Sequence, residues 1–325
     1  MNRGWIAARA ALLLLAAAGG AWAQAPGYPA RPVKLIIPFP AGGPTDILGR
    51  LLGQKLSEGW GQNVVIDNRP GGGGMIGALL AVKSPPDGYT LFLGGITTLV
   101  LAPFVQKDIQ YDPLRDFAAV SQTTLSPIML TTHPSLPARS VKAFVALARA
   151  RPGELNYATS GPGGSGHLAG ELFKSVTGTQ LVHVPYRGAP PAINDLVAGQ
   201  VQTMFGTLLA AVPLVRADKI RALAVTGPQR SIALPDAPTF AEAGLPGYDA
   251  SSWNGMVMPA GTPPALVAKL NADLVRILRM PNVLDRLSGD GAVPVGSAPG
   301  EFSAYIKAEQ AKWGKVVREA NVRID

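Results

Sequence analysis

From Val33 onward, short β-branched apolar runs alternate with stretches whose apolar residues recur at helical spacing. Val33 to Phe39, Asn63 to Ile66 and Thr90 to Leu93 predict strands. Between them Ile47, Leu48, Leu51, Leu52 and Leu56 share one helical face, and Met75 to Val82 predicts a second helix. Parallel strands linked by crossover helices give this alternation, so these elements form one α/β unit. From Ala118 to Thr132 the pattern is extended and carries no helical period, as in a strand that leaves the first unit. The alternation then restarts with strands Leu155 to Thr159, Val182 to Tyr186, Val201 to Phe205 and Arg221 to Thr226, and helices Leu168 to Val176 and Pro191 to Val197. Trp253 to Met258 predicts another apolar strand, followed by helices opening at Pro263 and Pro299, each with Pro in its first turn. The expected architecture is two α/β lobes joined by two crossing strands, with a cleft between them.

Composition narrows the chemistry. With 325 residues, 47% of them apolar, the chain fills about two ordinary cores. It has no cysteine, which excludes disulfides, thiolate nucleophiles and Cys-ligated metal centres, and three histidines leave little material for a metal cage. No metal or cofactor is expected. Arg3 and Arg9 precede the apolar run Ala10 to Ala18, which ends in Ala21-Trp22-Ala23, the pattern of a secretory signal peptide cleaved after Ala23. The run is shorter than the ~20 residues a membrane anchor requires. Beyond residue 23, 27 basic and 21 acidic residues remain, a net charge of +6 over 302 residues. The expected product is a soluble, periplasmic monomer. No Lys/Arg block exceeds two residues and no aromatic-interleaved basic stripe occurs, so nucleic acid is not the expected partner. An acidic small ligand fits the charge, as does a basic surface with no partner.

The recurring local feature is a strand ending in a glycine-containing loop from which a helix starts. Four such loops occur: Phe39 to Asp46, Asn68 to Gly74, Ser160 to His167, and Tyr186 to Pro190. Glycine lets backbone amides approach a ligand, and a helix start presents unpaired donors beside about half a positive charge. One start contributes only about 0.3 to 2 kcal/mol, whereas micromolar binding needs about 8 kcal/mol. Four to six charge-assisted hydrogen bonds at about 1.5 to 3 kcal/mol each reach that figure after desolvation, without a buried arginine. The bland alternative for any single loop is a tight strand-to-helix turn; four of them, two per lobe, point to a binding cleft.

Individual residues carry competing roles. Asp46 opens a helix, where a carboxylate caps and meets the dipole favourably. Arg187 either pairs with a ligand carboxylate or stands as a solvated rim charge, and Phe39 and Tyr186 either wall the cleft or belong to the core. Ser165 is a hydroxyl donor or a cap; His167 is a ligand donor or a local hydrogen-bond partner; His133 and His183 read as structural. Gly72 to Gly77 fits G-x-G-x-x-G, yet the next strand ends in Leu93-Gly94-Gly95 with no acid to hold a ribose. No G-K-[ST] follows any glycine loop. Ser165 with His167 suggests an exported serine hydrolase as the competing function, but Gly163 to His167 lacks the final glycine of G-x-S-x-G.

At Pro38-Phe39-Pro40-Ala41-Gly42-Gly43 with Asp46, Asp67-Asn68-Arg69-Pro70-Gly71, Pro86 to Leu91, Ser160-Gly161 with His167-Leu168-Ala169, Val184 to Gly188, Arg221 to Val225 and Pro259 to Pro263, the sequence resembles the Bug-type receptors. These are the periplasmic substrate-binding subunits of tripartite tricarboxylate transporters. The resemblance runs over nearly the whole chain beyond the signal segment. It implies a type II periplasmic-binding fold, a Venus flytrap closing on a small di- or tricarboxylate or related organic anion for delivery to permease subunits or for sensing. Lobe 1 then comprises 24–124 and 250–325, and lobe 2 comprises 125–249. The implied ligand-binding residues come from several loops. The first-lobe loop contributes Phe39, Ala41, Gly42, Gly43, Thr45 and Asp46, with Gly73 and Gly94 beside it. The second lobe contributes Ser160, Gly161, Gly163, Ser165 and His167, then Tyr186, Arg187 and Gly188, and finally Thr207. Relatives often carry Lys at Arg187, and an Asp after Met204-Phe205 where this chain has Gly206-Thr207. That missing acid favours a carboxylate without an amine.

Overall fold

The computed structural model describes residues 27–105, 109–227, 229–248, 250–289 and 291–319. The expected export segment 1–23 and its cleavage point after Ala23 lie outside the described residues. The chain separates into a short unit, Met1–Arg31, and a main unit, Pro32–Asp325. Of the short unit, residues 27–31 are described, and the Tyr28–Pro29 peptide is cis.

In the main unit, β1 (Val33–Ile37), β2 (Val64–Asn68) and β3 (Thr90–Gly95) are joined by α1 (Pro44–Trp60) and α2 (Met75–Val82). β1 runs parallel to both neighbours. It is apolar except at Lys34 because both of its faces are covered. Val33, Leu35 and Ile37 pack with Leu48, Leu52 and Leu56 of α1, while Ile36 joins Ala78 and Ala81 of α2 on the other face. A single π turn, Thr97–Leu101, leads into α3 (Ala102–Val105). Two antiparallel strands, β4 (Phe117–Ser126) and β10 (Ser252–Pro259), and the edge strand β11 (Val293–Pro294) complete a six-stranded sheet ordered β11-β4-β10-β3-β1-β2.

The second sheet has five strands, ordered β7-β6-β8-β5-β9. They are β5 (Ile128–Thr132), β6 (Asn156–Thr159), β7 (Val182–Pro185), β8 (Thr203–Thr207) and β9 (Arg221–Val225). Four helices belong with them: α4 (Val141–Ala150), α5 (Ser165–Thr177), α6 (Ala189–Val197) and α7 (Leu208–Arg216). The chain closes with α8 (Pro264–Leu278), α9 (Pro281–Gly289) and α10 (Pro299–Glu319). Both sheets share a plan. A central strand, β1 or β6, lies parallel between the next two, and an antiparallel strand, β10 or β5, adjoins the third.

The extended stretch Ala118 to Thr132 is two strands rather than one, divided at Pro127 and placed in different sheets. Proline has no amide to continue a ladder, so the chain changes sheet there. The return path starts beside it, since Ser252 pairs with Ser126. Four helices have no counterpart in the sequence reading: α3, α4, α7 and α9. α4 announces itself only through Ser140, whose hydroxyl accepts from the Ala143 amide at 3.2 Å. α7 contains Pro213, a residue that argues against a helix interior.

The face of the first sheet that carries Trp253 and Val257 is filled by α10 through Phe302 and Ile306. Phe302 meets Trp253 edge-on, centroids 5.6 Å apart at 88°, and its ring occupies the space a side chain at Gly255 would need. Gly255→Ala is therefore expected to cost about 1–3 kcal/mol by overpacking. In a domain of this size that lowers Tm by about 2–4 °C per kcal/mol. Thermal unfolding of the variant at an unchanged Tm would contradict this packing.

Candidate ligand-binding site

A cavity of about 70 Å³ lies between the two sheets. From the first sheet it is lined by Phe39, Pro40 and Gly43–Thr45 after β1, by Gly95–Thr97 after β3, and by Ser252–Asn254 at the start of β10. From the second come Ser160, Ser165 and Gly166 after β6, Gly188, Ala189 and Ile193 after β7, and Met204–Thr207 at the end of β8. The parallel strands β1, β3, β6, β7 and β8 thus all deliver their carboxyl ends to it, where open α/β sheets place ligands.

Four helices, α1, α5, α6 and α7, start at this wall, and none has a side-chain cap. Three begin after glycine, at Gly43, Gly164 and Gly188. The fourth begins after Thr207, a capping residue type, whose Oγ1 is buried and without a hydrogen-bond partner in the described protein. First-turn amides not claimed by a cap are donors in search of an acceptor, except at Pro44 of α1 and at Pro190 and Pro191 of α6, which have no N–H, and the helix dipole makes an anion the favoured partner. Among the lining residues no side chain is ionisable. Phe39, Ile96, Ile193, Met204, Phe205 and Trp253 supply an apolar wall, and Thr45, Thr97, Ser160, Ser165, Thr207, Ser252 and Asn254 supply neutral polar groups.

The mouth is narrow. A methyl group at Gly188 would lie 2.9 Å from Pro40 Cγ, so loops from opposite sheets meet there.

Of the residues expected from sequence, Phe39, Gly43, Thr45, Ser160, Ser165, Gly188 and Thr207 line the cavity. The others stand around it. Ala41 and Gly42 are exposed on the rim, as is Arg187, while Gly161 is half-buried. Gly163 is buried behind the wall, its amide donating to His167 Nδ1 at 3.0 Å. Tyr186 donates its hydroxyl to Asp195 at 2.6 Å. The turn that holds Gly73 lies behind the Phe39 loop, where a methyl at the adjacent Gly74 would run into Pro38 and Thr98. Gly94 accepts from Asn254 Nδ2 at 3.3 Å, and the same amide is 3.4 Å from Thr45 Oγ1.

Asp46 is buried and accepts from the Gly42 amide at 2.9 Å, from Arg50 at 2.8 Å and from Asn68 at 3.0 Å. Burial alone would raise its pKa, but these hydrogen bonds and the Arg50 charge hold it below the ordinary carboxylate value. These bonds tie the Gly42 amide and Asn68, which also donates to the Phe39 carbonyl, to the first turn of α1.

Trp253 and Asn254 are wall residues that the sequence pattern does not mark. Their strand is legible in sequence, but its insertion beside β3 is a long-range event. Trp253 Nε1 donates to the buried Glu309 at 3.3 Å, which also accepts from Trp313 at 3.0 Å, so α10 fixes this part of the wall.

Two sheets of one plan, with uncapped helix starts converging on a cavity between them, define a periplasmic binding protein fold. Solved structures agree. Periplasmic binding protein BugD superposes with a TM-score of 0.87 at 31% identity, covering 91% of this chain and 100% of that one. R. palustris Rpa4515 with adipate gives 0.89 at 40% identity, covering 91% and 100%. MatC (Rpa3494) from Rhodopseudomonas palustris with bound malate gives 0.84 at 33% identity, covering 89% and 100%. Residues 48–322 match the tripartite tricarboxylate transporter family receptor. Protein BugT of Bordetella pertussis is 37% identical over 314 residues, 96% of each chain. The chain belongs to this family of receptors.

Because the pKa of Asp46 is depressed in the folded state, its stabilising effect is complete above the unfolded value of about 3.9 and is lost as pH falls through the lower, folded one. Asp46→Asn, which cannot titrate, is expected to be less stable at neutral pH by about 1–3 kcal/mol. It should also decline less steeply than the wild type in acid. Denaturant melts at neutral pH and below about pH 4 check both statements.

Proposed function

We propose that this protein is a periplasmic receptor that captures a small carboxylate lacking an amine between its two lobes and hands it to permease subunits or reports its presence. The observation that carries this is the convergence of four uncapped helix starts, from both sheets, on one cavity without an ionisable side chain. Such a wall satisfies a carboxylate through amides and hydroxyls, and it offers an ammonium group no carboxylate. Adipate and malate in two similar structures support the ligand class.

In this reading the lobes are 24–124 with 250–325 and 125–249, the signal segment 1–23 is removed after Ala23, and the mature protein acts as a monomer without catalysis. His167 commits its Nδ1 to the Gly163 amide, which leaves it poorly placed as a base for Ser165. A ligand contacting both lobes binds the closed arrangement more tightly than the open one and so selects closure.

A thermal-shift and calorimetric screen tests the proposal with succinate, malate, adipate, citrate, glutamate, aspartate and aromatic acids. A bound diacid at 100 times its Kd contributes about 2.7 kcal/mol to stability and is recovered unchanged. Stabilisation by none of these acids, or product formation that Ser165→Ala abolishes, would refute the receptor. Thr207→Val, which removes the unpartnered hydroxyl, should weaken the best ligand by about 5- to 15-fold. Gly188→Val forces a side chain against Pro40 and should weaken it at least about tenfold by obstructing closure. An undiminished affinity there would show that the lobes need not meet.

A further inference from the structure

The loops that open α1 and α5 are built alike. Gly42 and Gly163 both adopt left-handed backbone, at φ 80° and 65°. Gly43 and Gly164 follow at φ −80°, ψ 168° and φ −76°, ψ 166°. In each loop the third helical residue reaches back to the left-handed glycine: the Gly42 amide donates to Asp46 at 2.9 Å and the Gly163 amide to His167 Nδ1 at 3.0 Å. The acceptors differ in one respect that matters. The carboxylate goes on accepting into acid, whereas Nδ1 accepts only while it carries no proton.

His167 sits in a closed group of neighbours. Its ring stacks on His183, centroids 3.9 Å apart and 8° from parallel, and its Nε2 is 3.8 Å from Glu171 Oε1. Glu171 in turn accepts from Lys174 at 2.8 Å and from the Tyr157 hydroxyl at 2.6 Å. Tyr157 also stacks on the imidazole of His183 at 4.9 Å, and Tyr248 donates to the Ala169 carbonyl of α5. His183 Nε2 is 2.7 Å from Thr159 Oγ1, which accepts from the Gly161 amide at 3.3 Å. Two stacked imidazoles therefore grip one loop, at Gly163 and, through Thr159, at Gly161. Burial, with His167 adding to it, pushes His183 down to about 3, so this ring stays neutral. Burial also holds His167 below its ordinary value, against the opposing pull of Glu171.

We propose that His167 is a positioning residue whose Nδ1, in a ring stacked on His183, holds the Ser160–Ser165 loop in its ligand-binding shape only while unprotonated, so that acidification loosens the second lobe's grip while the first lobe's loop stays set. This rests on the receptor reading, since the loop is a wall of the same cavity. Proton and ligand exclude one another. Affinity is therefore full at neutral pH and weakens as pH falls through the ring's value, which burial holds below the ordinary one, by up to about tenfold per unit.

Malate and adipate serve as probes, with Kd measured on the mature protein from about pH 8 down to about pH 4.5, far enough to pass a ring held below its ordinary value. His167→Asn keeps an acceptor near the Nδ1 position and cannot titrate, so its profile carries whatever the ligand itself contributes. Wild-type affinity should fall at least about fivefold more than that of His167→Asn over the range. His167→Phe, which keeps an aromatic ring without the acceptor, should bind weakly throughout. Clear binding with matching wild-type and His167→Asn profiles overturns the proposal and leaves the receptor standing. If neither probe binds, nitrogen-15 spectra of the three histidines decide. The proposal requires His167 as the Nε2–H tautomer at neutral pH and a Gly163 amide that shifts with its titration. A protonated Nδ1 at neutral pH, or an indifferent Gly163 amide, overturns it.

Discussion

Backbone amides at helix starts that no side chain caps are the constraint around which this molecule is organised. A helix leaves its first-turn N–H groups without internal partners, and most helices cover some of them with Ser, Thr, Asp or Asn. Here Gly43, Gly164 and Gly188 offer no such group, and Thr207 does not cap although its side chain is of the right type. Each start alone is worth little, about 0.3–2 kcal/mol toward an anion. Their value comes from position, because the shared strand order of the two sheets directs the carboxyl ends of β1, β6, β7 and β8 at a single cavity.

Charge is kept behind that wall rather than in it. Asp46 sets one glycine loop and is itself held by Arg50 and Asn68; His167 sets the other among Glu171, Lys174 and Tyr157. Removing a charge from water is expensive unless it is paired, and each of these groups is. The cavity surface is left to fixed dipoles, which need no counter-ion of their own. Selectivity of the proposed receptor then comes from what is lacking on the wall, a carboxylate for an ammonium, as much as from what is present.

The parts of the architecture carried by neighbouring residues were readable along the chain. The alternation of β1, α1, β2, α2 and β3 follows from periods of two and 3.6 and from the need to cover both faces of a parallel sheet. The glycine-to-helix junctions after Phe39, Ser160 and Tyr186 were equally visible, since left-handed backbone and close approach leave a compositional mark. The fourth glycine cluster looked the same in sequence but supports Pro38 and Thr98 from behind. The helix over Leu208–Arg216 was hidden by Pro213 and by a run too uniformly apolar to show a period. That the His167 ring faces the Gly163 amide is a contact its place in the sequence does not show.

Local order along the chain settled which segments become strands and helices, and which junctions leave amides exposed, because those properties depend on residues a few positions apart. It was the assembled fold that decided which junctions share a cavity. Asn254 touches Thr45 across 209 positions of sequence, and Trp253 is fixed by Glu309 across 56. No local preference encodes such contacts; they follow from the insertion of β10 beside β3 and the packing of the final long helix against it, and so appear only when both sheets are complete.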